Sequence, residues 1–406
     1  MTFEHVFRLT MSGLTVGMIY ALIALGYTMV YGVLEFINFA HGEIFTIGGY
    51  IAITTLVWAG VDSDTSAGVL IGYFIMAVAV SVLLTALLGW LVERIAYRPL
   101  RGASRIIPLL SAIGVSIFLQ NLIILTWGPE AIVVPTAIVP SQVVVMFGVP
   151  IRVLALIIIG VSVVLMAILT YIIRSTRIGK AMRATSQDME AAEMMGIETN
   201  RTIAFTFIIG SALAAIGGFL VAMYYGSLKF DTGFLYGLKA FTAAVLGGIG
   251  NIPGAVVGSL LLGLVENYGV GMKLGGLAWF FVAGLALGLY TQTIRVPGRR
   301  RRHIRDEIRT PAYERRIVNV YRFPIPNALK VALGPRTDAL VSVSARHSLR
   351  LAAGNLFLAV MAILFFLNHD SQFATMWQHA ISFSVLVLVL MFRPSGILGE
   401  HIQEKV

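Results

Sequence analysis

The chain has 406 residues, of which 58% are hydrophobic and only 12% are charged, and its mean hydropathy is +0.86. Soluble globular domains carry about twice that share of charged residues, so the composition excludes an ordinary soluble protein. The absence of cysteine excludes disulfides, thiolate metal sites and cysteine nucleophiles. The net charge of +10 falls between apolar segments, which favours basic loops of a membrane protein over a nucleic-acid interface.

Apolar stretches recur along the chain from its amino terminus. A membrane-spanning helix needs about 20 predominantly apolar residues. Long stretches lie at 10–33, 67–92, 106–127, 153–173 and 203–225, a further helix starts near His41, and shorter segments lie at 238–248, 253–265, 274–290, 351–367 and 381–392. The predicted fold is therefore all-α, a polytopic transmembrane helix bundle of about ten membrane segments, including short or broken helices.

The positions of lysine and arginine predict the orientation of the bundle. Basic residues cluster at 94–105, at 174–183 and again in the segment 297–350, whereas the segment 106–151 contains neither lysine nor arginine. Cytoplasmic loops of membrane proteins carry an excess of lysine and arginine. We therefore expect the amino terminus outside the membrane and the carboxyl terminus in the cytoplasm.

Glycines recur at every fourth residue in two of the predicted spans. They are Gly13 and Gly17 in the first span, and Gly250, Gly254 and Gly258 near the eighth. Small residues at this spacing let helix backbones approach closely in a membrane, where lipid supplies no hydrophobic drive between helices. Helix packing is the expected role, and hinging between transport states is the alternative.

Three segments carry a resemblance to a known family. They read GLTVGMIYALIALGYTMVYGVLEFINFAHGEIFTIGGY, ERIAYRPLRGASRIIPLLSAIGVSIFLQN and KAFTAAVLGGIGNIPGAVVGSLLLGLVE. They closely resemble the branched-chain amino acid ABC permeases of the LivH type, whose urea and short-amide relatives share much of the pattern. The resemblance runs from about Leu9 to Asn267 and resumes near the end in FSVLVLVLMFRPSGILGE. It implies a multi-pass subunit in the bacterial inner membrane.

The domain organisation departs from that family at one place. The sequence divides into a core permease region at 1–268, an insert at 269–376, and a final transmembrane helix with a cytoplasmic tail at 377–406. The insert is expected to be a helical hairpin whose connecting segment, 293–350, is a basic cytoplasmic loop. Because a hairpin adds two passes, the orientation of the final helix is preserved.

A short acidic motif lies in the second basic loop. The sequence MEAAEMMGI at 189–197 contains EAA and, after three further residues, a glycine. This resembles the coupling motif with which ABC importer permeases contact their ATPases, and an ordinary amphipathic loop helix is the alternative. The residues assigned to ATPase coupling are Asp188, Glu190, Ala191, Ala192, Gly196 and Ile197.

Polar side chains within apolar spans are costly and therefore mark candidate positions on a translocation pathway. The nearly uncharged segment 34–42 contains Asn38 and His41, and Glu43 follows in the first turn of the next helix, where the helix dipole favours an acid. Gln120 and Asn121 are the polar pair of the span at 106–127. Interhelical hydrogen bonding is the alternative role for these side chains.

The resemblance also implies partner subunits. No G-x-x-x-x-G-K-[ST] motif occurs, so the chain is expected to carry no cofactor and to depend on two ABC ATPase subunits that bind ATP. A second homologous permease subunit, an external solute-binding protein and membrane lipid complete the expected partners, with no nucleic acid. No catalytic residue or metal site is predicted, because the histidines are scattered. A self-contained small-solute channel and, third, an intramembrane enzyme are the competing hypotheses.

Overall fold

The computed structural model describes residues 2–271, with gaps at 35, 62–64, 105, 136–137 and 141, together with residue 383. The helices are α1 Phe3–Leu34, α2 His41–Trp58, α3 Ala67–Val92, α4 Ile106–Trp127, α5 Val153–Ser175, α6 Arg177–Gln187, α7 Met189–Met194, α8 Thr199–Tyr225, α9 Thr232–Gly247 and α10 Ile252–Gly271. A π-helical turn, Glu93–Tyr97, and a 3-10 turn, Arg98–Leu100, continue α3. The predicted insert, its basic loop and, apart from residue 383, the final helix lie outside the described residues.

The predicted membrane bundle is confirmed. Within the part of the chain that the structure describes, six helices are long and apolar enough to cross a membrane: α1, α3 with its continuation, α4, α5, α8 and α10. The helices α2 and α9 are shorter and largely buried among the others. The only strands in the described residues are short, β1 Ile132–Val133, β2 Val143–Met146, β3 Val149–Arg152 and β4 Ser227–Leu228.

The helix α2 lies at the centre of the bundle, between α3, α8 and α9. Its backbone approaches α8 closely, because a side chain at Gly48 would meet Ala215 and one at Gly49 would meet the backbone of Gly218. Midway along α2, the hydroxyl of Tyr50 donates a hydrogen bond to the carbonyl of Leu228 at 3.2 Å. Since helix backbones in a membrane associate by such packing, glycine on both helices makes this central contact possible.

Four of the five glycines predicted to pack helices lie at close helix contacts. A Cβ at Gly13 would lie 2.9 Å from the Cα of Leu264, and one at Gly17 would lie 3.0 Å from the Cα of Leu260, so α1 and α10 run antiparallel. Gly254 and Gly258 bring α10 against the backbone of α9. Gly250 differs from the prediction, because it lies in the turn between α9 and α10 with φ +87° and its Cβ position is open.

The basic loops meet at one end of the bundle, which we call the basic end. A cluster of buried side chains there joins Val33 of α1, Val92 of α3 and Ile203 of α8, and Met189 of α7 packs against it. The segment after α3 contributes Arg94, Arg98 and Arg101 to this end, and the start of α6 follows α5 there. The β-strands and the carboxyl end of α2 lie at the opposite end.

Candidate functional site

The start of α2 is formed by a turn at the basic end. The backbone N–H of His41 donates to the carbonyl of Asn38 at 3.1 Å, and Ala40, at the N-cap position, supplies no side-chain cap. Asn38, His41 and Glu43 are 2%, 2% and 1% exposed. The turn before α2 and the first turn of α2 therefore carry three polar side chains inside a largely apolar bundle.

The imidazole of His41 is enclosed by α1. Its ring lies edge-on to the ring of Tyr27, with centroids 4.8 Å apart. Gly26 faces the same ring, and a side chain at Gly26 would overlap the imidazole. The Nε2 atom of His41 has no hydrogen-bond partner among the described residues.

The carboxyl group of Glu43 lies between α4 and α9. Its Oε1 accepts a hydrogen bond from Ser116 Oγ on α4 at 3.4 Å, and its Oε2 has no partner within the described chain. Gly233 of α9 faces Oε2 closely, since a Cβ there would lie 2.8 Å from it. Glycine therefore creates the space beside this free oxygen atom.

Asn38 completes the group. Its Oδ1 accepts a hydrogen bond from Tyr97 Oη at 2.6 Å, while its Nδ2 has no partner in the described part of the chain. Buried polar atoms are nearly always hydrogen-bonded, so unpartnered ones call for an explanation such as a ligand or an ordered water. Asn38 Nδ2, His41 Nε2 and Glu43 Oε2 all belong to one short segment, which we call the α2 entry site.

Gln120 and Asn121 do not join the α2 entry site. Asn121 is exposed and donates its amide to the carbonyl of Ile117 in its own helix at 2.8 Å. Gln120 is half-buried, whereas the buried face of α4 presents Ser116 to Glu43. Sequence reasoning missed Ser116, because one serine among apolar residues is a weak signal.

The predicted coupling segment forms the short helix α7. The Asp188 carboxylate caps its start by accepting from the N–H of Ala191 at 2.9 Å. At its end, Gly196 has φ +82°, the N–H of Gly196 donates to the carbonyl of Glu193, and that of Ile197 donates to the carbonyl of Ala192. This pair of bonds is a Schellman C-cap, in which a glycine adopts the left-handed conformation.

One of the residues assigned to ATPase coupling, Ala192, does not lie on the outer face of α7. Ala192 is 4% exposed and packs inward, so it is not available to a partner in this conformation. Met194 and Met195 are 81% and 82% exposed, beside the solvent-exposed Glu190. Methionine is common at adaptable binding surfaces, so these two side chains are candidates for contact with a partner.

A buried ion pair lies deeper in the bundle and was also missed. Lys239 of α9 pairs with Glu266 of α10, and their side chains are 3% and 0% exposed. Tyr20 of α1 donates its hydroxyl to Glu266 Oε2 at 2.8 Å and accepts from Lys239 Nζ at 3.2 Å. The predicted segments 238–248 and 253–265 put Lys239 at the start of one helix and Glu266 just beyond the end of the next, whereas α9 and α10 extend past these residues.

Among the described residues, no group of three or more histidine, aspartate or glutamate side chains is arranged to hold a metal ion.

Comparison with known proteins places the chain among permeases. The family model described as "Branched-chain amino acid transport system / permease component" matches residues 9–293. The permease protein BraD of Pseudomonas aeruginosa is 47% identical over 272 residues, which cover 65% of this chain and 86% of BraD. The permease protein LivH of Escherichia coli is 44% identical over 263 residues, which cover 63% of this chain and 83% of LivH.

A more distant relative is LsrC of Yersinia pseudotuberculosis, an autoinducer 2 import system permease, which is 30% identical over 162 residues and matches 38% of this chain and 45% of LsrC. No solved structure gives a significant match to the chain. The BraD and LivH matches span most of each relative, and the family model covers well over half of the chain. The chain belongs to the family of permease components of branched-chain amino acid transport systems.

Proposed function

We propose that the chain is the membrane subunit of an ABC importer that carries branched-chain amino acids across the bacterial inner membrane. Two separate ATPase subunits supply the energy, a second homologous permease completes the pathway, and an external binding protein delivers the solute. The chain itself holds no cofactor. The names of BraD and LivH, which are high-affinity branched-chain amino acid transport permeases, support this substrate class.

The α2 entry site carries the proposal. An amino acid has an ammonium group, which donates hydrogen bonds, and a carboxylate, which accepts them. Glu43 Oε2 is a free acceptor and Asn38 Nδ2 is a free donor, both buried near the start of α2. Amide groups at a helix start also favour a carboxylate. Passage of a solute requires α1, α2 and α9 to separate around these side chains.

The basic end is the proposed cytoplasmic side. It carries Arg94, Arg98, Arg101 and the basic residues of α6, and cytoplasmic loops are rich in such residues. With this orientation, α7 lies where ATPase subunits can reach it, and Met194 and Met195 supply its exposed apolar contact. The amino terminus is then outside, and the carboxyl terminus is cytoplasmic.

The direct test is uptake by proteoliposomes that contain the chain, its ATPase subunits and the second permease, with the binding protein outside. Labelled leucine should accumulate only when ATP is enclosed. Saturable urea uptake that leucine does not inhibit would favour a urea or amide permease. Leucine or urea entry without ATP or ATPase subunits would instead favour a self-contained channel.

A substitution in α7 tests the coupling surface. We expect Gly196→Leu to remove most copurification of the ATPase subunits and most ATP-driven uptake, while the amount of inserted protein is nearly unchanged. A non-glycine residue in the left-handed conformation costs about 1 kcal/mol, and it distorts the turn that follows Met194 and Met195. Affinity purification followed by subunit quantification measures the loss.

The matched control is Gly226→Leu. Gly226 has φ +76°, ends α8 at the opposite end of the bundle and, like Gly196, has an open Cβ position. It imposes the same backbone strain far from α7, so ATPase copurification should stay at the native level. Equal losses in both variants would mean that strain alone causes the effect and that α7 is not the docking surface.

A further inference from the structure

A series of hydrogen bonds, linked by short stretches of backbone, leads inward from α7. It begins where α7 joins α8: the hydroxyl of Thr199, the first residue of α8, donates to the carboxylate of Glu193 in α7. The next residue, Asn200, accepts from Arg101 Nη1 at 2.6 Å. A displacement of α7 therefore acts on the first turn of α8 and on the guanidinium of Arg101.

Arg101 connects the start of α8 to the end of α3. Its Nη2 pairs with the carboxylate of Glu93, a side chain that is only 2% exposed, while Arg101 itself is 16% exposed. Arginine holds two partners in a fixed fork, so its two bonds to Asn200 and Glu93 cannot move independently. Arg101 thus links the start of α8 to the buried residue at the carboxyl end of α3, Glu93.

The π-helical turn Glu93–Tyr97 occupies the middle of this connection. Such turns are rare and recur at functional sites, because they shift the register of the helix that contains them. Ser111 of α4 donates to the carbonyl of Ala96 at 3.1 Å, which satisfies one backbone acceptor of the turn. Glu93 and Tyr97 stand at its two ends, so a change in the turn moves both.

Tyr97 contacts the α2 entry site directly. Its hydroxyl donates to Asn38 Oδ1 at 2.6 Å, and the carbonyl of Asn38 accepts the backbone N–H of His41 at the start of α2. The ring of Tyr97 is fully buried between Phe36 and Phe207, with centroid separations of 5.2 Å and 5.5 Å. It therefore has little freedom to move without displacing Asn38.

Apolar packing runs beside the polar connection. Met189, the first residue of α7, packs against the buried cluster that contains Tyr97, Val92 and Phe207. Tightly packed interiors transmit displacement, because they contain few voids that could absorb it. The same two places, α7 and the turn around Tyr97, are thus joined by two kinds of contact.

We propose that Arg101 and Tyr97 are positioning residues that transmit movement of α7 to Asn38 and the start of α2. The inference rests on the proposed function, since it takes α7 as the surface on which the ATPases act. Neither residue contacts solute in this role. Their hydrogen bonds fix the position of Asn38 and the start of α2 relative to α7. When α7 moves, Asn38 and the start of α2 move with it.

The test uses the full chain with its ATPase subunits and binding protein in proteoliposomes. In Tyr97→Phe, leucine uptake per ATP hydrolysed should fall about tenfold, within the range of measured coupling between sites, while ATP hydrolysis and ATPase copurification remain near native. Tyr50→Phe is the matched control: Tyr50 is equally buried and hydrogen-bonded, but it lies midway along α2 and bonds to Leu228. It should keep the native ratio.

A reporter cysteine measures the movement itself. Ala40, which is fully buried at the N-cap of α2, can be replaced by cysteine in this naturally cysteine-free chain. ATP should change the rate at which the Ala40→Cys protein reacts with a small thiol reagent. Adding Tyr97→Phe should abolish that change, and adding Tyr50→Phe should preserve it.

If Tyr97→Phe lowers protein abundance, Asn200→Ala replaces it as the test variant. Asn200 is exposed, and its substitution removes only the bond to Arg101. A native uptake ratio together with a native ATP response in either abundant variant would overturn the proposal. Failure of ATPase subunits to bind the unaltered chain would instead refute the proposed function, so the two failures are distinguishable.

Discussion

Replacement of Lys239 by methionine is expected to lower the free energy of unfolding by about 3–5 kcal/mol, the cost of removing one partner of a buried ion pair. Glu266 is fully buried in the pair, and after the substitution it would face the interior without a cation. The Tyr20 hydroxyl would remain its one described hydrogen-bond donor. Chemical denaturation of the purified chain in detergent micelles, followed by circular dichroism, measures the change.

A second substitution distinguishes the two possible causes of this loss of stability, an unpaired charge and lost packing. The double variant Lys239→Met, Glu266→Leu removes both charges, and replacing a buried pair by apolar residues is often neutral or stabilising. Its stability should therefore recover most of what the single variant loses. The aromatic rings of Tyr20 and Tyr236, whose centroids lie 5.7 Å and 5.9 Å from Lys239 Nζ, can pack against methionine.

Lys229→Met is the matched control for the single variant. Lys229 is exposed just before α9, and its substitution should change stability by less than about 0.5 kcal/mol, as for most surface positions. If Lys239→Met is as stable as Lys229→Met, the buried pair contributes nothing. If the double variant is no more stable than Lys239→Met, lost packing rather than an unpaired charge explains the effect.

Glu43→Gln is expected to reduce ATP-driven leucine uptake by between about tenfold and a hundredfold. A hydrogen bond to a charged group contributes about 1.5–3 kcal/mol, and the substitution removes the charge that would meet the solute's ammonium group. Glutamine is close in shape and can still accept from Ser116, so the helix contacts should survive. Initial uptake rates in proteoliposomes provide the measurement.

The controls for Glu43→Gln separate transport from assembly. Glu130 is exposed in the segment after α4, so Glu130→Gln should leave uptake unchanged. ATPase copurification should be native in both variants, because Glu43 is far along the chain from α7 and buried. Uptake by Glu43→Gln within twofold of native would remove Glu43 from the solute pathway and leave it a packing residue.

Hydropathy by itself determined the existence and the extent of most long helices. The predicted bounds 67–92 and 106–127 are those of α3 and α4, and the predicted spans at 153–173 and 203–225 fall within α5 and α8. These predictions succeed because a span is a local property: every backbone group must be satisfied inside its own helix.

Only the tertiary structure decided which side of each helix meets a neighbour. Lipid and bundle interior are equally apolar, so a span such as α4 has little contrast between its faces, and hydropathy did not separate Ser116, which reaches Glu43, from Asn121, which is exposed. Tyr20 and Glu266 are 246 residues apart, yet they share a hydrogen bond. Such a contact depends on how α1 and α10 pack, and no local pattern in the sequence encodes that arrangement.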